Sequence, residues 1–357
     1  MIRILSAEAH AVTFRLREGY RIAGMKFSTA KNVILKIGTS DGRTGFGCAA
    51  PFEEVTGESP ATSLALLRDQ LIPLLRESDA ADPEGIASRA AVIAPRAPAV
   101  RAALDMALHD LAGRRAGAPL YRLLGASRDR LPTSVTLGIS DTLEAAVDLA
   151  RRHVSGGFRI LKLKVGEDWE ADARLVGVLR RTLGPAIVLR ADGNQGYSET
   201  DAARFLQAVA PHRLELLEQP TSASDEAALG RLSRLALAPI MADESLHSEE
   251  DAARLIAGRA VGLFNIKLMK AGGVGAALAI ARKAAAGGLG VMFGCNDESR
   301  ISIAAALHTA LAAPGDVRAD LDGHLDLQDD VARGGVCIRD GFIEPVGEAG
   351  LGVVADV

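Results

Sequence analysis

Five short apolar runs between residues 159 and 273 each carry a charged residue where the run gives way to Gly, Pro, Ser or Asn, and no other feature of the chain restricts its fold so strongly. The runs are RILKLKV, AIVLRADGNQG, LELLEQP, PIMADES and VGLFNIKLMKAGG. They place Lys162 and Lys164, then Asp192, Glu218, Asp243 and Lys267, at junctions between a strand-like run and a breaker. From Asp192 onward the step is about 25 residues, close to one β/α unit of a barrel of roughly 250 residues. Charged groups at the C-terminal ends of consecutive parallel strands share one mouth. Three carboxylates and three lysines are therefore expected to meet in space.

A chain of 357 residues exceeds the ~250–300 residues at which single cores stop growing, so the N-terminal third is read as a second domain. A net charge of −4 with both signs scattered, and no Lys/Arg-rich block, excludes a nucleic-acid footprint and favours small-molecule chemistry. The three cysteines, Cys48, Cys295 and Cys337, are far apart and odd in number. That suits a reducing, cytoplasmic compartment and neither a disulfide framework nor a zinc cage. The opening MIRILSAEAHAVTFRL alternates and carries charges, and no run of about 18 apolar residues occurs, so no targeting or membrane segment is expected.

Taken in order, residues 2–8, 11–17 and 32–38 read as strands of a small antiparallel sheet, with loops at Gly19–Ala30 and Gly45–Gly57 that have the size of lids. Ser59–Arg76 and Val100–Arg114 repeat Leu on one face and read as helices. The domain boundary falls near residue 130. Beyond it, strand-like and helix-like segments alternate, with helices at 143–154, 170–183, 199–209, 225–235, 249–257, 275–286 and 299–312. Seven helices and eight strands, the last VRADLDG, fit a closed (β/α)7β barrel; no glycine-rich dinucleotide turn follows the first strand. The expected division is a capping domain at 1–130, an α/β barrel at 131–325, and a tail at 326–357 that returns to the cap.

Asp192, Glu218 and Asp243 suit a metal site better than three helix caps, because carboxylates converging in a low-dielectric mouth repel each other without a cation. Oxygen-only ligation with room for water points to Mg²⁺, with Mn²⁺ able to substitute. Lys162 and Lys164 share one strand face and point into the barrel, where a buried cation requires an anion or a function. Lys267 falls three strands further on in this reading, across the mouth. Lysines on two sides of one carbon suit a two-sided proton transfer. Met269 and Lys270 read as packing and surface positions.

These residues resemble the enolase superfamily in its muconate-lactonising branch, and within it the dipeptide epimerases of the L-Ala-D/L-Glu type. The likeness runs over essentially the whole chain: KLKVG at 162–166, DGNQG at 192–196, EQP at 218–220, ADES at 242–245, NIKLMKAGG at 265–273 and DLD at 320–322. The resemblance implies an α+β cap over a (β/α)7β barrel, Mg²⁺ held by Asp192, Glu218 and Asp243, and 1,1-proton transfer by Lys164 and Lys267. The reacting carbon is the one beside a dipeptide's C-terminal carboxylate, and the reaction passes through an enediolate that Lys162 helps to stabilise. It further implies that Asp320 and Asp322 bind the substrate's ammonium group, and that Thr136, Cys295 and Asp297 contact substrate. Packing remains an alternative for Thr136 and Cys295.

Two positions depart from the pattern: Met25 stands where Glu-specific members carry an arginine, and Cys48 where Glu is common. With Glu53 and Glu54 in the second lid segment and Asp297 on the last helix-bearing strand, acidity is added near the substrate. A dipeptide containing Lys or Arg is therefore expected, with a hydrophobic dipeptide as runner-up. A homo-oligomer is expected, and no nucleic-acid or membrane partner. The rivals are a cycloisomerase or o-succinylbenzoate synthase, whose substrates offer the DLD pair no ammonium group, and a non-catalytic barrel.

Overall fold

Strands β1 (Ile4–Ile22) and β2 (Met25–Thr39) form one long antiparallel hairpin, and β3 (Thr44–Ala49) pairs with the other edge of β2. The computed structural model describes residues 2–357. The two strands expected at 2–8 and 11–17 are thus one, and the expected loop Gly19–Ala30 is the far end of the hairpin. It turns at Ala23 and Gly24, the latter at φ 75°. Pairing continues there, with Tyr20 opposite Phe27, Arg21 opposite Lys26 and Ile22 opposite Met25. Much of this ribbon is exposed, so it lacks the apolar alternation that signals a half-buried strand.

The second expected loop divides into β3 and one helical turn, Glu53–Thr56, closed by Gly57 at φ 72°. Strand β3 hides in the sequence because its residues GFGCA are mostly small. The cause is close packing on the helix Pro98–Ala116: a Cβ added at Gly47 would lie 1.8 Å from the Ala103 carbonyl oxygen. The helical stretch from Pro60 to Arg76, which includes a π turn at Leu67–Leu71, follows the leucine periodicity. The helix Pro83–Ile93, capped by the Asp82 side chain, is not announced by that periodicity.

After a short strand β4 (Leu131–Pro132), eight parallel strands follow: β5 (Val135–Leu137), β6 (Ile160–Lys164), β7 (Val188–Asp192), β8 (Leu217–Glu218), β9 (Ile240–Ala242), β10 (Leu263–Ile266), β11 (Gly290–Gly294) and β12 (Val317–Asp320). Each pairs with the next in sequence, and a bridge from Thr133 to Ala319 brings the two edges together, so the barrel is nearly closed. The seven helices between them start and stop within two residues of the sequence reading. Several are set by their first residue, as where the Thr142, Ser198 and Ser248 side chains accept from the third helical N–H.

The tail supplies β13 (Ala332–Gly334), β14 (Val336–Arg339), β15 (Phe342–Pro345) and β16 (Val353–Ala355); β15 pairs with β4, just before the first barrel strand. It then meets the cap. The buried Asp110 carboxylate accepts from Phe46 N at 3.0 Å, from Leu351 N at 2.8 Å and from Arg114 Nε at 3.0 Å, joining β3, a cap helix and the tail. Among the described residues no helix is long and apolar enough to cross a membrane.

The cap's close packing sets a first expectation. Gly47→Ala drives a methyl group into the backbone of the adjoining helix and should destabilise the protein by roughly 1–3 kcal/mol, seen as a lower Tm in a thermal melt. Gly262→Ala, whose added methyl meets nothing within 4 Å, is the control. Equal melting temperatures for the two variants would contradict the packing account.

Candidate active site

The strand ends bring the candidate residues into one mouth. Lys164 pairs in register with Asp192, and Asp192 with Glu218, while Asp243 and Lys267 directly follow β9 and β10 and Asp320 ends β12. Lys267 stands four strands from Lys164, not three, which in an eight-stranded barrel is diametrically opposite. The loops that carry these groups are drawn tight. Gln219, at φ 28°, accepts from Asp243 N at 3.0 Å and Ser245 N at 3.2 Å, and donates to Ser245 Oγ at 2.9 Å, locking the ends of β8 and β9. A Cβ at Gly196 would lie 2.4 Å from the Gly166 carbonyl oxygen, so the glycines of the KLKVG and DGNQG segments are required by loop-on-loop contact.

The ammonium groups sit among the carboxylates. Lys162 Nζ lies 3.0 Å from Asp192 Oδ2, 2.8 Å from Glu218 Oε2 and 2.7 Å from Asp320 Oδ2. Burial pulls its pKa down, but Asp192, Asp320 and Glu218 outweigh that and raise it well above the ordinary value. Lys164 donates to Asp192 Oδ2 at 2.7 Å and Asn194 Oδ1 at 3.1 Å. Lys267 donates to Asp243 Oδ2 at 2.9 Å; burial again opposes, and Asp243 and Glu218 prevail to hold it protonated. Lys270, expected at the surface, is buried: its ammonium binds the Asp243 carbonyl, Asp243 Oδ1 at 2.5 Å and Asn265 O at 3.2 Å. Its place three residues after Lys267, one turn on, is the signal that sequence reasoning passed over.

Negative charge nonetheless exceeds positive. Asp192, Glu218, Asp243, Glu244, Asp297, Asp320 and Asp322 give seven carboxylates against the four lysines, three charges in excess if all ionise. Burial opposes the ionisation of Asp192, yet Lys162 and Lys164 hold it down at about 2. Burial, then Asp192 and Asp243, push Glu218 up to about 8 against Lys162 and Lys267. Glu244 is raised to about 7 by burial, Asp243 and Asp192.

Among the described residues no three carboxylates close on a common point; the lysine ammoniums lie between them. The donor set still fits a hard divalent cation. Glu218 Oε2 is wholly buried, and although Lys162 is near, it accepts no hydrogen bond. The three carboxylates also sit on adjacent strands with no sulfur or imidazole among them.

The other candidates line the approach. Thr136 N donates to Asp322 Oδ2 at 2.6 Å, and Cys295 Sγ lies 3.3 Å from Asp320 O and 3.4 Å from Gly323 N, bracing the DLD loop. Burial, then Asp320, raise Asp322 to about 7. Asp297 accepts from the Tyr20 hydroxyl of the lid hairpin at 2.8 Å, and burial takes its carboxyl up to about 6. Asp326, missed in the sequence because it lies past the DLD motif, joins this group; burial, Asp322, Asp297 and Glu18 push it to about 7. Met25 is half-buried at the hairpin tip, whereas Glu53 and Glu54 are exposed on the short lid helix. Cys48 is buried against Asn32, which donates to Asp297 O at 3.2 Å and accepts from Ser299 N.

Comparison with known proteins agrees with this architecture over both halves of the chain. Residues 145–357 match the enolase C-terminal domain-like family and residues 6–125 the N-terminal domain family of mandelate racemase and muconate lactonizing enzyme. An L-Lys-D/L-Arg epimerase of Methylococcus capsulatus is 42% identical over 99% of both chains. An enzyme of the same name from Desulforapulum autotrophicum is 38% identical over 95% of both. A crystal structure of the Methylococcus capsulatus dipeptide epimerase, complexed with Mg and L-Arg-D-Lys, superposes with a TM-score of 0.94 at 42% identity, covering 99% of each chain. With its two halves matched to the two domains of one family and its strand-end lysines and carboxylates in that family's barrel, the chain belongs to the enolase superfamily, in its muconate-lactonising branch.

Proposed function

We propose that this protein is a Mg²⁺-dependent dipeptide epimerase that inverts the α-carbon beside the C-terminal carboxylate. The observation that carries this reading is the diametric placement of Lys164 and Lys267 about a mouth lined by Asp192, Glu218 and Asp243. Full-length relatives named L-Lys-D/L-Arg epimerase, and the dipeptide epimerase structure from Methylococcus capsulatus, support it. Asp192, Glu218 and Asp243 would hold the metal, which when bound supplies Lewis-acid polarisation of the carboxylate next to the reacting carbon.

The chain's own groups do the rest. Lys162, charged and buried, places a further cation at the carboxylate oxygens that gain negative charge. Lys164, in its neutral amine form, takes the α-proton on one face and becomes the ammonium, and the C–H electron pair moves into the adjoining carboxylate. Lys267, protonated beside Asp243, returns a proton to the carbon on the opposite face. The reverse epimerisation exchanges the two roles. The tight loops fix the three participants, and the lid hairpin covers them.

The substrate's ammonium group would be bound by Asp320 and Asp322. Specificity for a Lys- or Arg-containing dipeptide is supported by the carboxylates of Asp297 and Asp326, which share the lid side of the pocket with Tyr20 and have no arginine or lysine as an ion-pair partner among the described residues. The exposed Glu53 and Glu54 do not add to that support.

Three outcomes test the reading. Lys164→Ala and Lys267→Ala should each lower epimerisation by roughly 10²–10⁴-fold, while each variant keeps solvent exchange of the α-proton in only one epimer; full epimerisation by either would refute the two-base scheme. Exhaustive chelation should abolish turnover and Mg²⁺ should restore it, and Asp243→Asn should weaken calorimetric Mg²⁺ affinity; undiminished activity in chelator would exclude the metal role. Asp297→Asn and Asp326→Asn should cut kcat/KM about tenfold for Lys- or Arg-containing dipeptides and much less for Ala-Leu. A parallel fall on both substrates would discard the electrostatic account of specificity and leave the epimerase reading intact.

A further inference from the structure

Arg190 is the bulkiest fully buried side chain of the protein, with 2% of its surface exposed. It lies on β7 two residues before Asp192, hence on the same inward face and one layer deeper in the barrel. Its Nε meets Glu215 Oε2 at 2.6 Å on the side away from the mouth, where Arg318 also holds Glu215 at 3.3 Å. Toward the mouth, Nη1 reaches Ser134 Oγ at 3.1 Å and Ala319 O at 2.9 Å. Ser134 Oγ in turn lies 2.6 Å from Asp320 Oδ1, and Asp320 Oδ2 lies 2.7 Å from Lys162.

The direction of this chain follows from donor chemistry. A guanidinium has only donors, so Ser134 Oγ accepts from Arg190 and must hand its single proton onward. Two acceptors are in reach: Asp320 Oδ1 at 2.6 Å and Ala319 O at 3.4 Å. A carbonyl oxygen can accept twice, but the carboxylate oxygen is charged and much the closer of the two. The Ser134 proton is therefore committed to Asp320. A buried arginine ion pair contributes little to stability compared with apolar packing of similar volume, so its presence in the barrel core calls for a purpose beyond filling space.

We propose that Arg190 is a positioning residue which, acting through the Ser134 hydroxyl, orients the Asp320 carboxylate for the substrate's ammonium group. The inference rests on the reading above that Asp320 binds that group. Lys162 grips one oxygen of Asp320 and Ser134 the other, so the carboxylate plane is set from two sides before substrate arrives. Without the arginine, the Ser134 oxygen loses the donor that fixes its place, and Lys162 is the one charged group that still anchors the carboxylate.

The test compares Ser134→Ala, Arg190→Lys and the double variant Arg190→Met/Glu215→Gln, which removes the Glu215 charge together with its Arg190 partner. Each is assayed with Mg²⁺ on a Lys-containing dipeptide and on the same dipeptide N-acetylated, which has no α-ammonium, and each is checked by thermal melt. The relay predicts that Ser134→Ala and the double variant raise KM for the free dipeptide about tenfold or more. It also predicts that kcat, and turnover of the acetylated substrate, shift by less than about threefold. Arg190→Lys, which still has a donor, should recover part of the loss. An unchanged KM, or equal losses on both substrates, overturns the relay. Should the double variant fail to fold, Ser134→Ala decides alone, since it removes a single oxygen. A wild-type protein that epimerises no dipeptide overturns the parent reading and the relay together, whereas active wild type with unaffected Ser134→Ala overturns the relay only.

Discussion

The structure depends on one unfavourable arrangement made tolerable: a buried ammonium, Lys162, gripped by Asp192, Glu218 and Asp320 within 3.0 Å. Ions taken out of water lose solvation worth several kcal/mol each, and only close, well-oriented partners offset it. The barrel supplies those partners: Asp192 and Glu218 are in register with each other and with Lys164, and Lys162, two residues earlier on the same inward face, extends its side chain up to their carboxylates. Removing Lys162 would leave Glu218 and Asp320 without their ammonium partner, whereas Asp192 keeps Lys164. Burial first, and the neighbouring carboxylates second, push Glu218, Glu244 and Asp322 upward, and a divalent cation and a substrate ammonium would neutralise the surplus of carboxylates.

Barrel and cap divide the work. The barrel holds the charged machinery on strand ends, where rigid backbone keeps it within hydrogen-bonding tolerance. The cap brings a two-stranded ribbon over the mouth. Its tip touches several barrel loops: Ile139 N donates to Arg21 O at 2.8 Å, Arg21 pairs with Asp141 at 3.2 Å, and the Tyr20 hydroxyl reaches Asp297. The ribbon and the loops after β11 and β12 thus meet above the lysines without sharing their hydrogen bonds to Asp192 and Asp243. Arg190 extends the polar system downward, so the barrel core is itself part of how the mouth is arranged.

Much of this was legible in the residues. The charges at Lys162, Lys164, Asp192, Glu218, Asp243 and Lys267 stand out because strand ends fall at an even step, and a period of two sends both Lys162 and Lys164 inward. The barrel helices were legible for a similar reason: the first five have one apolar face and a capping Thr, Asp or Ser, whereas the helix after Gly273 has no side-chain cap and the one after Ser299 is apolar nearly all round. The lid hairpin was not, because a ribbon open to solvent has no apolar alternation, and its glycines imitate a loop. Strand β3 was hidden by small residues whose reason is a helix distant in sequence. Gln219, Arg190 and Asp326 escaped notice because their importance lies in partners on other strands, which no local spacing encodes; Lys270 alone had a local signal, its place one turn after Lys267.

The central claim is that two lysines act on opposite faces of one carbon, and isotope position during early turnover of the unmodified enzyme tests it most directly. A single epimer of a Lys-containing dipeptide is incubated with enzyme and Mg²⁺ in deuterated water and followed by proton NMR before much has converted. The account predicts deuterium at the α-carbon of the C-terminal residue in the newly formed epimer, while the remaining starting epimer keeps its hydrogen and the N-terminal residue is untouched. Deuterium appearing equally in both epimers from the outset, or at the N-terminal residue's α-carbon, would contradict it.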